Sequence, residues 1–391
     1  MLNFEFHSPT EFVFGKDTEL QVGKLLKSYK AKKVLIHYGS GSIKRSGLFD
    51  RVVKAMTELN IEYLELGGVV PNPRDTLVYE GIKICKEEKV DFILAVGGGS
   101  VIDSAKAIAA GAKYTGDFWD FFDRKASIKS ALKIGVILTI PAAGSEGSPV
   151  SVITKTEGLL KRGGYSQEIR PTFAIINPEL TYTLPKYQTA AGIVDMMSHI
   201  FERYLTKTTD VILTDRLSEA TLVSIIEAAK IVMKEPTNYE ARATICWAGT
   251  IAHNGILGVG RQEDWGTHAL EHELSALFDV THGAGLAVMF PAYMKYTVNE
   301  DVQRYRRLAV KVFGIKDKPK KPLKVAMAGI HELEKFFKEI LMPTTLDEIN
   351  VHKEDIDRLI EKLHINRGDK FGFFKELSME DARKIYELAC K

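Results

Sequence analysis

The run Asp91-Phe-Ile-Leu-Ala-Val96 passes directly into Gly97-Gly98-Gly99-Ser100 and then into Val101-Ile-Asp103-Ser-Ala-Lys106. The apolar run reads as a buried strand, the glycines as a tight turn, and Val101–Ala110 as a helix. A turn without side chains lets backbone N–H groups approach a pyrophosphate, and the helix dipole adds partial positive charge there. The spacing is not G-x-G-x-x-G, because Ile102 stands where the third glycine would fall. It is not a Walker A loop either, since no Gly-Lys-Ser/Thr follows. Taken alone, the glycine run fits a bare strand-to-helix connection equally well.

Working outward, the first half repeats the same alternation. Val34–Ile36, Ile61–Leu66, Ile134–Ile140 and Phe173–Ile176 read as strands, with a helical pattern at Asp75–Glu88. Alternating strand and helix predicts a parallel sheet with helices on its faces. Phe4–Phe14 reads as an extra edge strand or a hairpin. After Pro185 the strand signals fade. Ile356, Leu359, Ile360 and Leu363 share one helix face, and Ser378 with Asp381 marks a helix start. Residues 315–322 read as a charged loop. The expected organisation is an α/β dinucleotide-binding domain over 1–182, with a parallel sheet, followed by an all-α domain over 183–391.

Composition narrows the function. The chain has 391 residues, 45% of them hydrophobic, enough for a sizeable core. Lys+Arg number 53 against 51 Asp+Glu, a net of +2, which lacks the cationic footprint of a nucleic-acid binder. Three cysteines (Cys85, Cys246 and Cys390) are too few and too scattered for a disulfide scaffold or a thiolate zinc site, and point to a reducing cytoplasm. The opening Met-Leu-Asn-Phe-Glu-Phe has no cationic lead-in and is not expected to be a signal peptide. The longest uncharged stretch, Ala243–Gly260, contains His253, Asn254 and glycines, and suits a buried helix rather than a membrane span.

A second glycine turn, Tyr38-Gly39-Ser40-Gly41-Ser42-Ile43-Lys44-Arg45, follows the first predicted strand. NAD-selective sites commonly carry an acid near such a strand end for the ribose 2′-hydroxyl. Here small hydroxyls and two cations stand in its place, a composition that tolerates a 2′-phosphate and also fits a solvated loop. Further on, Asp195 and His199 are four residues apart, as are His268 and His272, so each pair shares a helix face. His282 follows, before Gly283-Ala-Gly285, which reads as a turn into the next helix. Asp195, His199, His268 and His282 would offer three nitrogens and one oxygen to a divalent cation such as Fe(II) or Zn(II). Singly, each histidine also fits a satisfied core residue.

These residues together resemble the iron-containing (group III) alcohol dehydrogenases, within them the butanol dehydrogenase and broad aldehyde reductase branch. The matching motifs are Pro71-Asn72-Pro73, Gly97–Lys106, Thr139-Ile-Pro-Ala-Ala-Gly-Ser145-Glu146, Gly192-Ile-Val-Asp195-Met-Met-Ser-His199 and the His268–His282 segment, across essentially the whole chain. The resemblance implies the dehydroquinate synthase-like fold of that family, with the site in the cleft between its two domains. It implies that Asp195, His199, His268 and His282 hold the metal, Fe2+ or alternatively Zn2+. His272 matches a histidine linked to proton transfer near the nicotinamide. Asn72, Gly98, Gly99, Ser100, Asp103, Thr139 and Lys161 match cofactor-site positions. Gly39, Ser40 and Ser42 resemble the branch that accepts NADP(H), expected as the preferred coenzyme with NAD(H) as the alternative. Ser275 departs from the broader family, where many members place glycine, but the Glu271-His272-Glu273-Leu-Ser form matches the branch.

The expected activity is hydride transfer between NADP(H) and a small primary alcohol or aldehyde, such as butanol and butanal, by a homodimer paired through Phe4–Phe14. Neither nucleic acid nor membrane is an expected partner. The rivals are an NAD-dependent member of the same fold acting on a polyol, a non-redox lyase of the dehydroquinate synthase type, a metal-dependent hydrolase, and a nucleotide-binding sensor. The lyases lack a histidine at the His199 position and carry a basic pocket, whereas Ala252–His282 offers only Arg261 as a permanent cation.

Overall fold

The structure is a computed structural model that describes residues 1–390. It divides into two compact units, His7–Leu184 and a second built from Met1–Phe6 with Pro185 onward.

The first unit carries one six-stranded sheet and a small hairpin. Its strands are β1 (Glu11–Phe14), β2 (Lys33–Tyr38), β3 (Glu62–Leu66), β4 (Phe92–Gly98), β5 (Lys133–Ile140), β6 (Val150–Lys155), β7 (Leu160–Tyr165) and β8 (Phe173–Ile176). The sheet order is β1-β8-β5-β4-β2-β3. Every neighbouring pair in it is parallel. β4 and β8 are buried along their whole length, which is why they read as unbroken apolar runs rather than alternating ones. From β2 the chain steps outward to β3, then returns to lay β4 on the other side of β2. The strand order therefore reverses between β2 and β4, where open α/β sheets place their ligand crevice, beyond the carboxyl ends.

The parallel sheet and its helices follow the sequence reading, with three differences. The helix after β4 begins at Gly99 and runs to Ala112, so strand meets helix with no intervening loop. Of Phe4–Phe14, only Glu11–Phe14 is strand, an edge strand parallel to β8 and not a hairpin. The antiparallel β6–β7 pair, Val150↔Tyr165 to Lys155↔Leu160, went unread. Leu-Lys-Arg-Gly-Gly-Tyr is a poor strand by composition, and it is stabilised by its partner strand.

His37 on β2 ties the sheet to the Gly99–Ala112 helix. Its Nδ1 lies 2.9 Å from the Leu66 carbonyl and its Nε2 2.9 Å from Ser104 Oγ. Burial pushes its pKa from 6.5 down to about 4. Between those values the unfolded chain takes up a proton that the folded chain refuses. Stability from this group is therefore full above pH 6.5 and falls towards pH 4, by at most about 3 kcal/mol. Denaturant midpoints of wild type and His37→Gln across that range check this; the variant should show the smaller fall.

The second unit is helical. Its central helix, Lys186–Tyr204, is buried from Thr189 to Tyr204 and packs among Ile212–Val232, Tyr239–His253 and His282–Thr297, the last of which also packs on Gly266–Phe278. Gly283 and Gly285 lie inside the first turns of the His282–Thr297 helix, not in the turn expected there. Their reason is close approach. A Cβ on Gly283 would sit 2.0 Å from the Ala191 carbonyl oxygen, and one on Gly285 would sit 2.8 Å from the Glu271 carboxylate. The bare backbone at Gly283 brings the helix carrying His282 against the helix carrying Asp195. Gly283→Ala is expected to cost about 2 kcal/mol or more, lowering Tm by about 5 °C, since the obstacle is backbone and neither helix can yield locally. Thermal unfolding measures it.

Candidate active site

At the carboxyl ends of the first unit's strands the glycines form a cradle. Tyr38 pairs in register with Val96, so the turn after β2 lies beside the β4–helix junction. A Cβ on Gly97 would meet Val101 at 2.5 Å, one on Gly98 would meet Ile140 at 2.8 Å, and one on Gly99 would meet Ala143 at 3.2 Å. A Cβ on Gly39 would lie 3.4 Å from the Val69 carbonyl and 4.0 Å from Val101. The helix N-terminus at Gly99 has no side-chain cap, which leaves its first N–H groups facing a side-chain-free surface suited to an anion. Ser100 stands in the helix's first turn, and Thr139 is half-buried near the end of β5. Ser40 and Ser42 are exposed.

Asn72, buried and with a left-handed φ of 53°, accepts a hydrogen bond from Lys161 Nζ at 3.0 Å. Asp103, in the helix that begins at Gly99, lies against Ser145 and Val152. Its carboxylate accepts Ser145 Oγ at 2.6 Å and the Val152 N–H at 2.9 Å. Buried Lys106 donates to the Ser145 carbonyl and hydroxyl and to the Ser148 and Val150 carbonyls, all within 2.8 Å. Desolvation raises the Asp103 carboxyl and lowers the Lys106 ammonium to about 8. Together they bind the segment after β5 to the cradle helix, so Asp103 shapes the cradle from behind.

In the second unit, donor atoms of Asp195, His268 and His282 all lie within 4.8 Å of one another. The i, i+4 spacing places His199 Nδ1 3.5 Å from Asp195 Oδ1, and its ring stacks on His268 with centroids 4.9 Å apart. His199 borders the three-donor group without belonging to that mutually close set. Two buried carboxylates hold the other imidazoles. Glu202 Oε1 accepts both the backbone N–H and the Nδ1–H of His268, each at 2.8 Å. Glu271 Oε2 takes His282 Nδ1, while Glu271 Oε1 accepts Ser275 Oγ. Each carboxylate fixes the tautomer that leaves Nε2 as the free-electron-pair nitrogen.

The donor set fits a divalent cation. A carboxylate with neutral imidazoles suits Fe(II) and Zn(II). His199 is held well below its ordinary pKa by burial, and then by His253, His268, Arg203 and His282, so it stays uncharged. Its Nδ1 is buried without a hydrogen-bond partner, an orphan that a cation site would explain. Glu271, His272 and His282 form a second close triple, but Glu271 already accepts from His282, so that triple is a ligand-orienting contact. His272 lies 5.7 Å from the His282 ring, and Arg367 Nη2 reaches its Nδ1 at 3.5 Å.

Four residues of the candidate site escaped the sequence reading: Glu202, Glu271, His253 and Trp265. Glu202 and Glu271 follow His199 and His268 by three positions, an acid on the ligand face of an otherwise apolar helix, and that was the available signal. His253 packs its ring 4.1 Å from His199. Trp265 adopts a left-handed φ of 67° just before the His268 helix, and its ring meets His268 edge-on at 5.1 Å. A bulky residue there carries strain of about 1–2 kcal/mol, held by its Nε1–H bond to Glu263 and by Arg203 over its face.

Comparison with known proteins places the chain in a family. Residues 9–178 match the family described as iron-containing alcohol dehydrogenase, and residues 189–390 match the C-terminal domain of the Fe-containing alcohol dehydrogenase family. The chain is 43% identical to a probable NADH-dependent butanol dehydrogenase 1 of Bacillus subtilis, over 98% of this chain and 99% of that one. It is 36% identical to the NADPH-dependent aldehyde reductase YqhD of Escherichia coli, over the full length of both. The crystal structure of NADH-dependent butanol dehydrogenase A from Thermotoga maritima superposes with a TM-score of 0.97 at 40% identity, covering 100% of this chain and 99% of that one. The chain belongs to the iron-containing alcohol dehydrogenase family, and it is an oxidoreductase.

Proposed function

We propose that this protein is a metal-dependent alcohol dehydrogenase and aldehyde reductase that transfers hydride between NADP(H) and a small primary alcohol or aldehyde, with butanol and butanal as representative substrates. The observation that carries this reading is the Asp195–His268–His282 group with its two orienting carboxylates, in a chain whose other unit bears a phosphate cradle. When bound, a divalent cation supplies Lewis acidity towards the substrate oxygen, and a nicotinamide dinucleotide supplies or takes the hydride.

The chain's own contribution is placement and proton handling. Asp195, His268 and His282 would hold the metal, with His199 beside them as the fourth candidate ligand. Gly98, Gly99 and Ser100 would receive the pyrophosphate, with Gly39, Ser40 and Ser42 at the adenosine ribose. His272, with Arg367 Nη2 3.5 Å from its Nδ1, would be the side chain beside the candidate ligands that handles the proton. It would pass a proton to the product alcohol from its imidazolium form and be left neutral, and in the reverse direction the neutral ring would take the proton back.

The metal-loaded protein, assayed with butanal and each reduced coenzyme, tests this reading. Steady turnover is expected, with the higher kcat/KM for NADPH. Absence of turnover with any short aldehyde overturns the function. A preference for NADH favours the second reading of the coenzyme, which the names of the Bacillus and Thermotoga relatives support.

Two further points belong to the same proposal. Two copies are proposed to associate along β1, the edge strand of the sheet, with exposed Phe4 and Phe6 preceding it in the chain. Sedimentation equilibrium should return twice the chain mass; a monomer at micromolar concentration overturns it. Among the described residues no helix is long and apolar enough to cross a membrane. A cytoplasmic location is proposed on the three free cysteines.

A further inference from the structure

Lys44 lies in the short helix Ser42–Arg45, after the Gly39–Gly41 turn. Its Nζ is 2.7 Å from Glu65 Oε2, and the same oxygen accepts the Tyr38 hydroxyl at 2.9 Å. The ammonium also lies 5.2 Å from the Tyr38 ring centroid and 4.7 Å from that of Phe49. Glu65 sits on β3, paired in register with Ile36 of the adjacent β2. One acid and two aromatic faces thus converge on this cation. Its neighbour Arg45 is exposed and enters no ion pair among the described residues.

An acid is therefore present near this turn after all, supplied by the neighbouring strand and directed at a lysine. We propose that Glu65 sets coenzyme discrimination: by holding Lys44 it withholds one of two cations from an adenosine 2′-phosphate, and so limits the preference for the phosphorylated coenzyme. This inference rests on reading the Gly39–Ser42 turn as the adenosine end of the coenzyme site. A phosphate monoester carries about −1.5 to −2 charges at pH 7, and Arg45 with Ser40 and Ser42 remains available to meet it. Lys44 and Glu65 side chains are each 44% exposed, and an ion pair so exposed is weak. The restraint is accordingly partial, and a dianion can compete for Lys44.

ADP-ribose and its 2′-phosphorylated form isolate the effect, because neither carries a nicotinamide and binding is read without turnover. Their affinities are to be measured by titration calorimetry at low salt for wild type, Glu65→Gln, Lys44→Met and the double variant. Glutamine keeps an acceptor for Tyr38 and removes only the charge. Glu65→Gln is expected to tighten the 2′-phosphorylated ligand by about 3- to 10-fold and to leave ADP-ribose within about 2-fold. Adding Lys44→Met should erase the gain, and raising the salt should shrink it. No tightening, equal tightening of both ligands, or a gain that survives loss of Lys44 overturns the role of Glu65 while leaving the coenzyme site standing. A wild-type protein that binds neither ligand overturns the coenzyme-site reading and this inference with it.

Discussion

His268→Ala and His282→Ala are each expected to purify folded, to carry less than a tenth of the wild-type metal, and to reduce butanal at least about 10³-fold more slowly. The metal expectation follows from the donor count. Asp195, His268 and His282 are the three groups whose donor atoms lie mutually within 4.8 Å. Removing one leaves two of that close set with His199 beside them, and a site short of one imidazole competes less well with water for a divalent ion. The rate expectation follows because Lewis-acid stabilisation of a developing alkoxide contributes several kcal/mol to the barrier. The two variants should differ in stability. His268→Ala strips the fully buried Glu202 of one of the two hydrogen bonds it accepts from His268, and burial already pushes that carboxyl up to about 8. Half-exposed solvent near His282 softens the second loss, because its side chain is 25% exposed. Metal content by plasma emission, circular dichroism and butanal turnover give the three readouts. Wild-type turnover in a variant that binds no metal would remove the metal from the mechanism altogether.

The parts of this molecule that sequence displays are those governed by local periodicity. β4, β8 and the middle of β5 declare themselves because a strand buried on both faces reads as a near-continuous apolar run. Three consecutive glycines at a strand end fit a bare turn as well as a cradle, and only their company with the other motifs favoured the cradle. The pairs Asp195/His199 and His268/His272 were legible because four residues make about one helical turn. What sequence hides are contacts made across elements. The β6–β7 pair contains Gly163 and Gly164 and owes its existence to its partner. Glu65 lies on β3 and Lys44 beyond β2, so their pairing depends on the two strands being neighbours. The acids on the candidate ligands are hidden for a subtler reason. Glu202 and Glu271 occupy the correct helix faces, but which imidazole each one meets is set by the docking of three helices. Glu202 bonds His268 on another helix and not His199 on its own, while Glu271 reaches forward to His282. Gly285 leaves room for the second arrangement, since a Cβ there would strike the Glu271 carboxylate.

Those acids carry the other large expected effect. Glu202→Leu and Glu271→Leu should weaken the protein's grip on its divalent metal by about 10- to 100-fold, although neither residue is one of the three close donors. A carboxylate on Nδ1 does two things for an imidazole: it fixes the ring's orientation and tautomer, and it makes Nε2 the better electron-pair donor. Glutamine separates them. At Glu202 an amide oxygen can still accept from the His268 backbone N–H and Nδ1–H, so Glu202→Gln keeps the orientation and loses only the negative charge. Its metal affinity should fall by about 10-fold or less. Glu271→Gln should be harsher, because both Glu271 oxygens are engaged, one accepting from Ser275 Oγ and the other holding His282 Nδ1. An amide offers one acceptor and one donor to two partners that both need an acceptor. One bond must break or one partner must turn, and the buried site gives little room for either. Competition against a chromogenic chelator yields the metal Kd of each variant. With saturating metal, kcat should recover most of its wild-type value in the glutamine variants, since the ligands themselves remain. Wild-type Kd values across all four variants would mean that helix packing alone positions the imidazoles, and that the two acids are no more than satisfied core groups.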